Sequence, residues 1–135
     1  MAASSTAGYS GTPLLRKLGI KSDSTVVVLG APESFDKALG ELPPAAKLRR
    51  VNQGYRDLTI WFVRSRAELR RRLPAVIRSL RDGGLWIAWP KRSSPIESDL
   101  TEDVLREEVL PTGLVDHKVC AIDEDWSGLR FARRR

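Results

Sequence analysis

Asp57-Leu58-Thr59-Ile60-Trp61-Phe62-Val63 and Gly83-Gly84-Leu85-Trp86-Ile87-Ala88-Trp89-Pro90-Lys91 bracket a basic segment patterned as a helix. Both runs are nearly continuous in apolar residues and rich in β-branched and aromatic side chains, the composition of strands buried on both faces. Between them Leu69, Leu73, Val76, Ile77 and Leu80 recur at helical spacing. Ser65, with Glu68 three residues later, has the form of a capping box, and Gly83-Gly84 is a stop signal. The three pieces make a strand–helix–strand crossover, which is right-handed and lays its helix on one face of a parallel sheet. Pro74 falls inside the helix, so the spacing predicts either a kink or a stop near Arg72 with a restart at Pro74.

Working outward, Thr12 and Pro13 are placed to cap and open a short helix carrying Leu14, Leu15 and Leu18, which Gly19 ends. Thr25-Val26-Val27-Val28-Leu29 is a first strand, followed by the loop Gly30-Ala31-Pro32-Glu33-Ser34 and a short helix from Phe35 to Leu39. A weak strand spans Lys47 to Val51, and Asn52-Gln53-Gly54 turns the chain. After Lys91 a polar loop reaches Asp99, and Thr101 caps a helix that runs to Leu110, with Glu102 and Asp103 at its positive end. Lys118–Ile122 and Leu129–Arg133, separated by residues 123–128, form an antiparallel hairpin. The expectation is a single α/β domain over residues 8–132, with a disordered tail at 1–7 and a basic tail at 133–135.

Composition narrows the function. The 135 residues are 41% hydrophobic and 30% charged, the balance of a globular domain with a core of its own. No apolar run reaches membrane-spanning length, and the first ten residues lack the basic start and apolar middle of a signal peptide. The lone Cys120 cannot close an intramolecular disulfide. Together these predict a cytoplasmic protein with no membrane association. Of the net charge of +6, half sits in Arg133-Arg134-Arg135. The crossover segment holds Arg64, Arg66, Arg70, Arg71, Arg72, Arg78 and Arg81. Arg70, Arg71 and Arg78 would carry nucleic-acid binding through phosphate neutralisation. A solvated helix face accounts for the same residues without a nucleic-acid motif, and is preferred.

Candidate chemistry is sparse. His117 and Cys120 are too few for a closed zinc site, and on one strand they point to opposite faces, so no metal is expected. The serines at 10, 93 and 94 lack a nucleophile-elbow context. Asp99 and Asp103 are the candidate acid–base carboxylates, and capping with dipole compensation is the plainer role for both. Trp61 and Trp86 read as core; Trp89 ends its strand where a ligand crevice should open and Trp126 lies by a turn where it could cover apolar surface or meet another subunit, with core or lid packing the plainer role for both.

Several segments carry a resemblance. Gly8-Tyr9-Ser10-Gly11-Thr12-Pro13-Leu14, Leu29-Gly30-Ala31-Pro32-Glu33, Ala88-Trp89-Pro90-Lys91 and Asp99-Leu100-Thr101-Glu102-Asp103 form one half of it. Leu110-Pro111-Thr112-Gly113-Leu114-Val115-Asp116, Lys118-Val119-Cys120-Ala121-Ile122-Asp123 and Trp126-Ser127-Gly128-Leu129 form the other. Together they resemble a small bacterial family, a domain of unknown function (number 3052), over nearly the whole chain. That family brings no activity to transfer.

The layout also resembles a Rossmann-like methyltransferase that has lost a strand and a helix. This resemblance implies strand order 2-1-3-4-6-5, the last strand antiparallel to its neighbours, with ligands beyond the strand ends after Leu29, Val63 and Trp89. Methyltransferases follow their first strand with a glycine-rich loop and their second with an acidic residue. Here the loop has only Gly30, and Val51-Asn52-Gln53-Gly54 has no carboxylate, so no cofactor is expected.

The sequence therefore predicts a non-catalytic, methyltransferase-like binding module for a small anionic ligand or a protein partner. Its site would use Tyr9, Gly30, Glu33, Trp89, Lys91, Arg92 and Ser93. A divergent S-adenosylmethionine-dependent methyltransferase with Asp99 or Asp103 as base is the alternative, and nucleic-acid binding the next. The terminal hairpin leaves an edge on which a homodimer could pair.

Overall fold

The computed structural model describes residues 13–134. The expectations for residues 1–12, including the N-terminal tail, the Thr12 cap and Tyr9, lie outside the described residues. Six strands form one sheet: β1 (Thr25–Leu29), β2 (Lys47–Arg49), β3 (Leu58–Phe62), β4 (Gly84–Pro90), β5 (Leu114–Ala121) and β6 (Trp126–Arg133). Their order is β2-β1-β3-β4-β6-β5, as the methyltransferase resemblance implied. β1, β2, β3 and β4 run parallel, and β6 is antiparallel to both β4 and β5.

Among the described residues four α-helices cover the sheet, α1 (Leu14–Leu18), α2 (Glu33–Leu39), α3 (Arg66–Ser79) and α4 (Glu102–Val109), and a 3-10 turn over Leu110–Thr112 follows the last. Every residue of β3 and β4 is buried, which explains why their sequence shows no alternation. The two faces carry separate cores. Val27, Trp61, Ile87 and Leu129 pack under Leu69, Leu73 and Val76 of α3 and Leu105 and Val109 of α4. Val26, Ile60, Phe62 and Trp86 pack under Leu14 and Leu18 of α1 and Phe35 and Leu39 of α2.

The boundaries differ from expectation in instructive ways. Pro13 is the extended N-cap of α1, with ψ 143°, and the helix opens at Leu14. α2 opens at Glu33 because Pro32 supplies the extended cap, and the weak second strand stops at Arg49. α3 runs unbroken through Pro74 from its Ser65 cap, whose Oγ accepts from Glu68 N at 3.1 Å. The Glu68 carboxylate returns to Arg64 N, one residue beyond the usual capping-box position.

At the end of α3 the left-handed turn falls on Arg81 (φ +54°), not on either glycine. Gly83 and Gly84 answer to crowding instead. A Cβ at Gly83 would lie 2.9 Å from the Asp57 carbonyl oxygen, and one at Gly84 would lie 2.6 Å from Nη2 of Arg130. Both hairpin strands are longer than expected: β6 begins at Trp126 because Asp123 Oδ1 accepts from the amides of Asp125 and Trp126 and closes the turn early, and β5 gains its length at the far end, from Leu114.

Candidate functional site

β1, β3 and β4 all end on one edge, and the strand order reverses between β1 and β3. In open α/β sheets ligands lie in the crevice at such a switch point. Gly30, the first residue after β1, has φ +70°, and a Cβ there would sit 2.9 Å from the Phe62 carbonyl oxygen. The loop after β1 thus leans directly on the end of β3 and needs glycine to do so.

Arg64, just past β3, crosses the remaining gap. Its Nη1 donates to the Gly30 carbonyl at 3.3 Å, and its guanidinium carbon lies 5.0 Å from the centroid of the Trp126 ring. That ring is buried and makes an edge-on contact with Phe62 at 5.1 Å, so the cation–π partner is rigidly held. The guanidinium therefore lies across the switch point, between the end of β1 and the β6 strand. The sequence reading missed Arg64 by grouping it with the helix-face arginines. Its position directly after a buried strand was the available signal.

Beside the switch point, between β4 and α4, is a cleft of about 590 Å³ lined by residues 89–92 and 94–102. It contains Trp89, Lys91 and Arg92, three residues that the sequence placed in one site. Trp89 is 6% exposed, and its indole belongs to the core beneath α3 and α4. Lys91 N donates to the Asp125 carbonyl at 2.7 Å, which ties the cleft loop to the β5–β6 turn. Ser94 Oγ and Ser98 Oγ accept from the amides of Ile96 and Leu100, so the loop is stiffened by its own hydroxyls. Ser93 is exposed and is not part of the cleft lining; Gly30 and Glu33 stand on the β1 side, with Glu33 an exposed first residue of α2.

The carboxylates have visible partners. Asp99 Oδ1 accepts from Arg66 N at 2.8 Å and so caps the N-terminus of α3 from a loop 33 residues away. Helix N-termini attract anions, and here the chain supplies the anion itself. Asp103 is 90% exposed and lies 3.8 Å from Arg106, its ion-pair partner one helical turn on. Glu102 pairs with the same arginine at 2.6 Å. Lys91 and Arg92 form no ion pair within 4 Å among the described residues.

The arginines of α3 divide into two sets. Arg66 and Arg70 bind Glu108 of α4 at 2.7 and 2.5 Å, and Arg66 also reaches Glu107 at 3.1 Å. Hydrogen bonds from Arg70 and then Arg66 pull the Glu108 carboxyl down to about 2. Arg71, Arg72 and Arg78 are exposed without ion pairs among the described residues, so of the three arginines named for nucleic acid Arg70 is engaged internally. Burial pushes the Cys120 thiol up, which makes it a poor nucleophile, and His117 beside the irregularity in β5 is exposed. Among the described residues no three His, Cys, Asp or Glu side chains group as metal ligands. No helix among them is long and apolar enough to cross a membrane.

No family model and no curated protein matches the chain, so the bacterial family suggested by its short motifs is not shown. Solved structures do match. A SAM-dependent methyltransferase from Aquifex aeolicus superposes with a TM-score of 0.55 at 12% identity, covering 87% of this chain and 86% of its own. TrmN from Thermus thermophilus gives 0.54 at 12% identity over 90% of this chain, which spans 47% of TrmN. A protein of the NADB-Rossmann superfamily from Streptococcus agalactiae gives 0.54 at 11% identity, covering 94% of this chain and 70% of that one. At such identities the likeness is one of architecture: the chain is a Rossmann-like α/β domain with the fold of methyltransferases.

Proposed function

We propose that this chain is a methyltransferase-like binding module that has exchanged the adenosyl cofactor for another ligand, a small anion or an acidic segment of a protein partner, held in the β4–α4 cleft. The observation that carries this reading is Arg64. Its exposed side chain bridges Gly30 and Trp126 across the switch point and lays a cation over the crevice that a cofactor would need. Beside it Lys91 and Arg92 are free of carboxylate partners among the described residues, while Asp99 is held by α3. A ligand's negative charge would meet the Lys91 ammonium and the Arg92 guanidinium, and Trp89 would form the floor beneath its flat portion. Glu33 and Ser93 would contact only a ligand that extends out of the cleft, and Tyr9 would close over it from the N-terminal segment.

Thermal unfolding against a panel of S-adenosylmethionine, S-adenosylhomocysteine, nucleotides and small carboxylates tests this reading, because a ligand that binds only the folded state raises its stability by mass action. The expected result is no shift with the two S-adenosyl compounds and a shift with at least one other anion, or with an acidic peptide, that Lys91→Ala and Arg92→Ala abolish. A shift with the S-adenosyl compounds would replace this reading with the divergent methyltransferase, which the fold of the Aquifex aeolicus and Thermus thermophilus proteins supports. Asp103→Asn would then separate a catalytic from a capping carboxylate.

A further inference from the structure

The opposite, amino-terminal edge of the sheet holds a second concentration of charge. Arg56, immediately before β3, is 2% exposed, and its partners are neutral. Nε and Nη2 donate to the Gly54 carbonyl at 3.2 and 3.0 Å, and Nη1 donates to Asn52 Oδ1 at 2.5 Å. A buried guanidinium normally has a carboxylate, because an uncompensated charge in the interior is costly. Arg56 has none within 4 Å among the described residues.

What surrounds it is more positive charge. Arg49, at the end of β2, lays Nη1 against Gly54, 3.0 Å from where a Cβ would stand. The turn after α3 brings Arg81 to the same corner: its neighbour Gly83 is pressed against the backbone oxygens of Asp57 and Arg56. Burial, and then the charges of Arg81 and Arg49, lower the pKa of Arg56. Arg133 adds a fourth guanidinium, donating to the carbonyls of Arg81 and Ile77 at 2.6 and 2.9 Å.

Two carboxylates share this edge, and neither forms an ion pair with these arginines among the described residues. Asp57 spends one oxygen on Tyr55 Oη at 2.6 Å and the other on Thr25 N at 2.8 Å. Asp82 forms no ion pair among the described residues. Arg81 also holds a left-handed backbone conformation that costs an arginine free energy and that glycine at the same position would adopt freely.

We infer that Arg49, Arg56 and Arg81 form a binding site for a terminal phosphate group, at the edge of the sheet opposite the cleft. Arg56 forms its rigid base, fixed by Asn52 and Gly54. Arg49 and Arg81 close on the oxyanion from the solvent side with planar donors suited to phosphate oxygens. Three guanidiniums gathered at one corner favour a compact, doubly charged terminal phosphate over a diester backbone, whose oxygens carry one charge and are flanked by sugars. This site and the β4–α4 cleft share no residue, so either can fail without the other.

The test compares unfolding in low millimolar inorganic phosphate with unfolding in chloride at matched ionic strength. The wild-type chain is expected to gain a Tm shift on the order of 5 °C as phosphate saturates the site. Arg49→Ala and Arg81→Gly are each expected to lose most of that shift. Arg81→Gly is decisive because glycine suits φ +54°, so this variant folds at least as well as the parent while lacking the charge. Arg70→Ala, on the far helix face, is expected to keep the shift. Equal unfolding in phosphate and chloride, or a shift that survives in Arg81→Gly, would overturn the site. A 5′-phosphorylated mononucleotide should compete with phosphate, and an oligonucleotide without terminal phosphates should not. Displacement by the latter would overturn the terminal-phosphate assignment.

Discussion

Single residues in this protein carry roles that their type alone does not announce. Asp99 is a candidate acid–base carboxylate in the sequence with capping as its plainer role, and it caps α3, not its own helix, across 33 residues of chain. Glu108 of α4 is the hub on which Arg66 and Arg70 converge. Its pKa falls from an ordinary 4.5 to about 2 in the folded chain. Because the folded value is the lower one, the stabilisation is fully present above pH 4.5 and is lost as the pH falls through about 2. Glu108→Gln should therefore unfold at lower Tm than the parent at neutral pH, with the difference shrinking as the pH falls across that window. A difference that stayed constant down to pH 2 would mean the two arginines do not hold this carboxylate. Nothing local distinguishes Glu108 from Glu107, so this hub was not legible before the two helices were docked.

At the scale of elements, the local signals were mostly sound and the exceptions have physical causes. The Ser65 cap, the Thr101 cap and the stop of α1 at Gly19 appear as the sequence indicates, since each depends on residues within one turn of its own backbone. Pro74 breaks nothing, because Leu69, Leu73 and Val76 bury the same stripe on both sides of it and outweigh one missing hydrogen bond. Pro74→Ala restores the backbone donor at an exposed site. The gain of roughly 3 kcal/mol expected from helix propensity, less about 1 kcal/mol of unfolded-chain entropy, should leave the variant more stable by urea denaturation. An unchanged midpoint would show that the helix had already relaxed around the proline. β5 began four residues earlier than its composition suggested, since pairing of Leu114 with Arg133 of β6 recruits residues with little strand preference of their own.

At the scale of the molecule, β3 and β4 form the centre of the sheet, while β2 and β5 are its edges. Native-state amide exchange should be slowest in β3 and β4 and fastest in β2 and in the exposed middle of β5. Protection of β5 equal to that of β4 would indicate a partner strand on that edge, and with it the homodimer that the hairpin left open. The sequence by itself determined the crossover unit and the alternation of strands and helices, because buried parallel strands, capped helices and right-handed connections leave few arrangements, while the strand order followed from the resemblance to Rossmann-like methyltransferases. It also brought Trp89, Lys91 and Arg92 to one cleft, because they follow one another at the end of one strand. Only the tertiary structure decided that Arg64 crosses to Gly30 and Trp126, that Asp99 serves α3, and that Arg49, Arg56 and Arg81 meet at the opposite edge. Those groups lie tens of residues apart in the chain, and side-chain chemistry between distant segments exists only once the sheet has set their register.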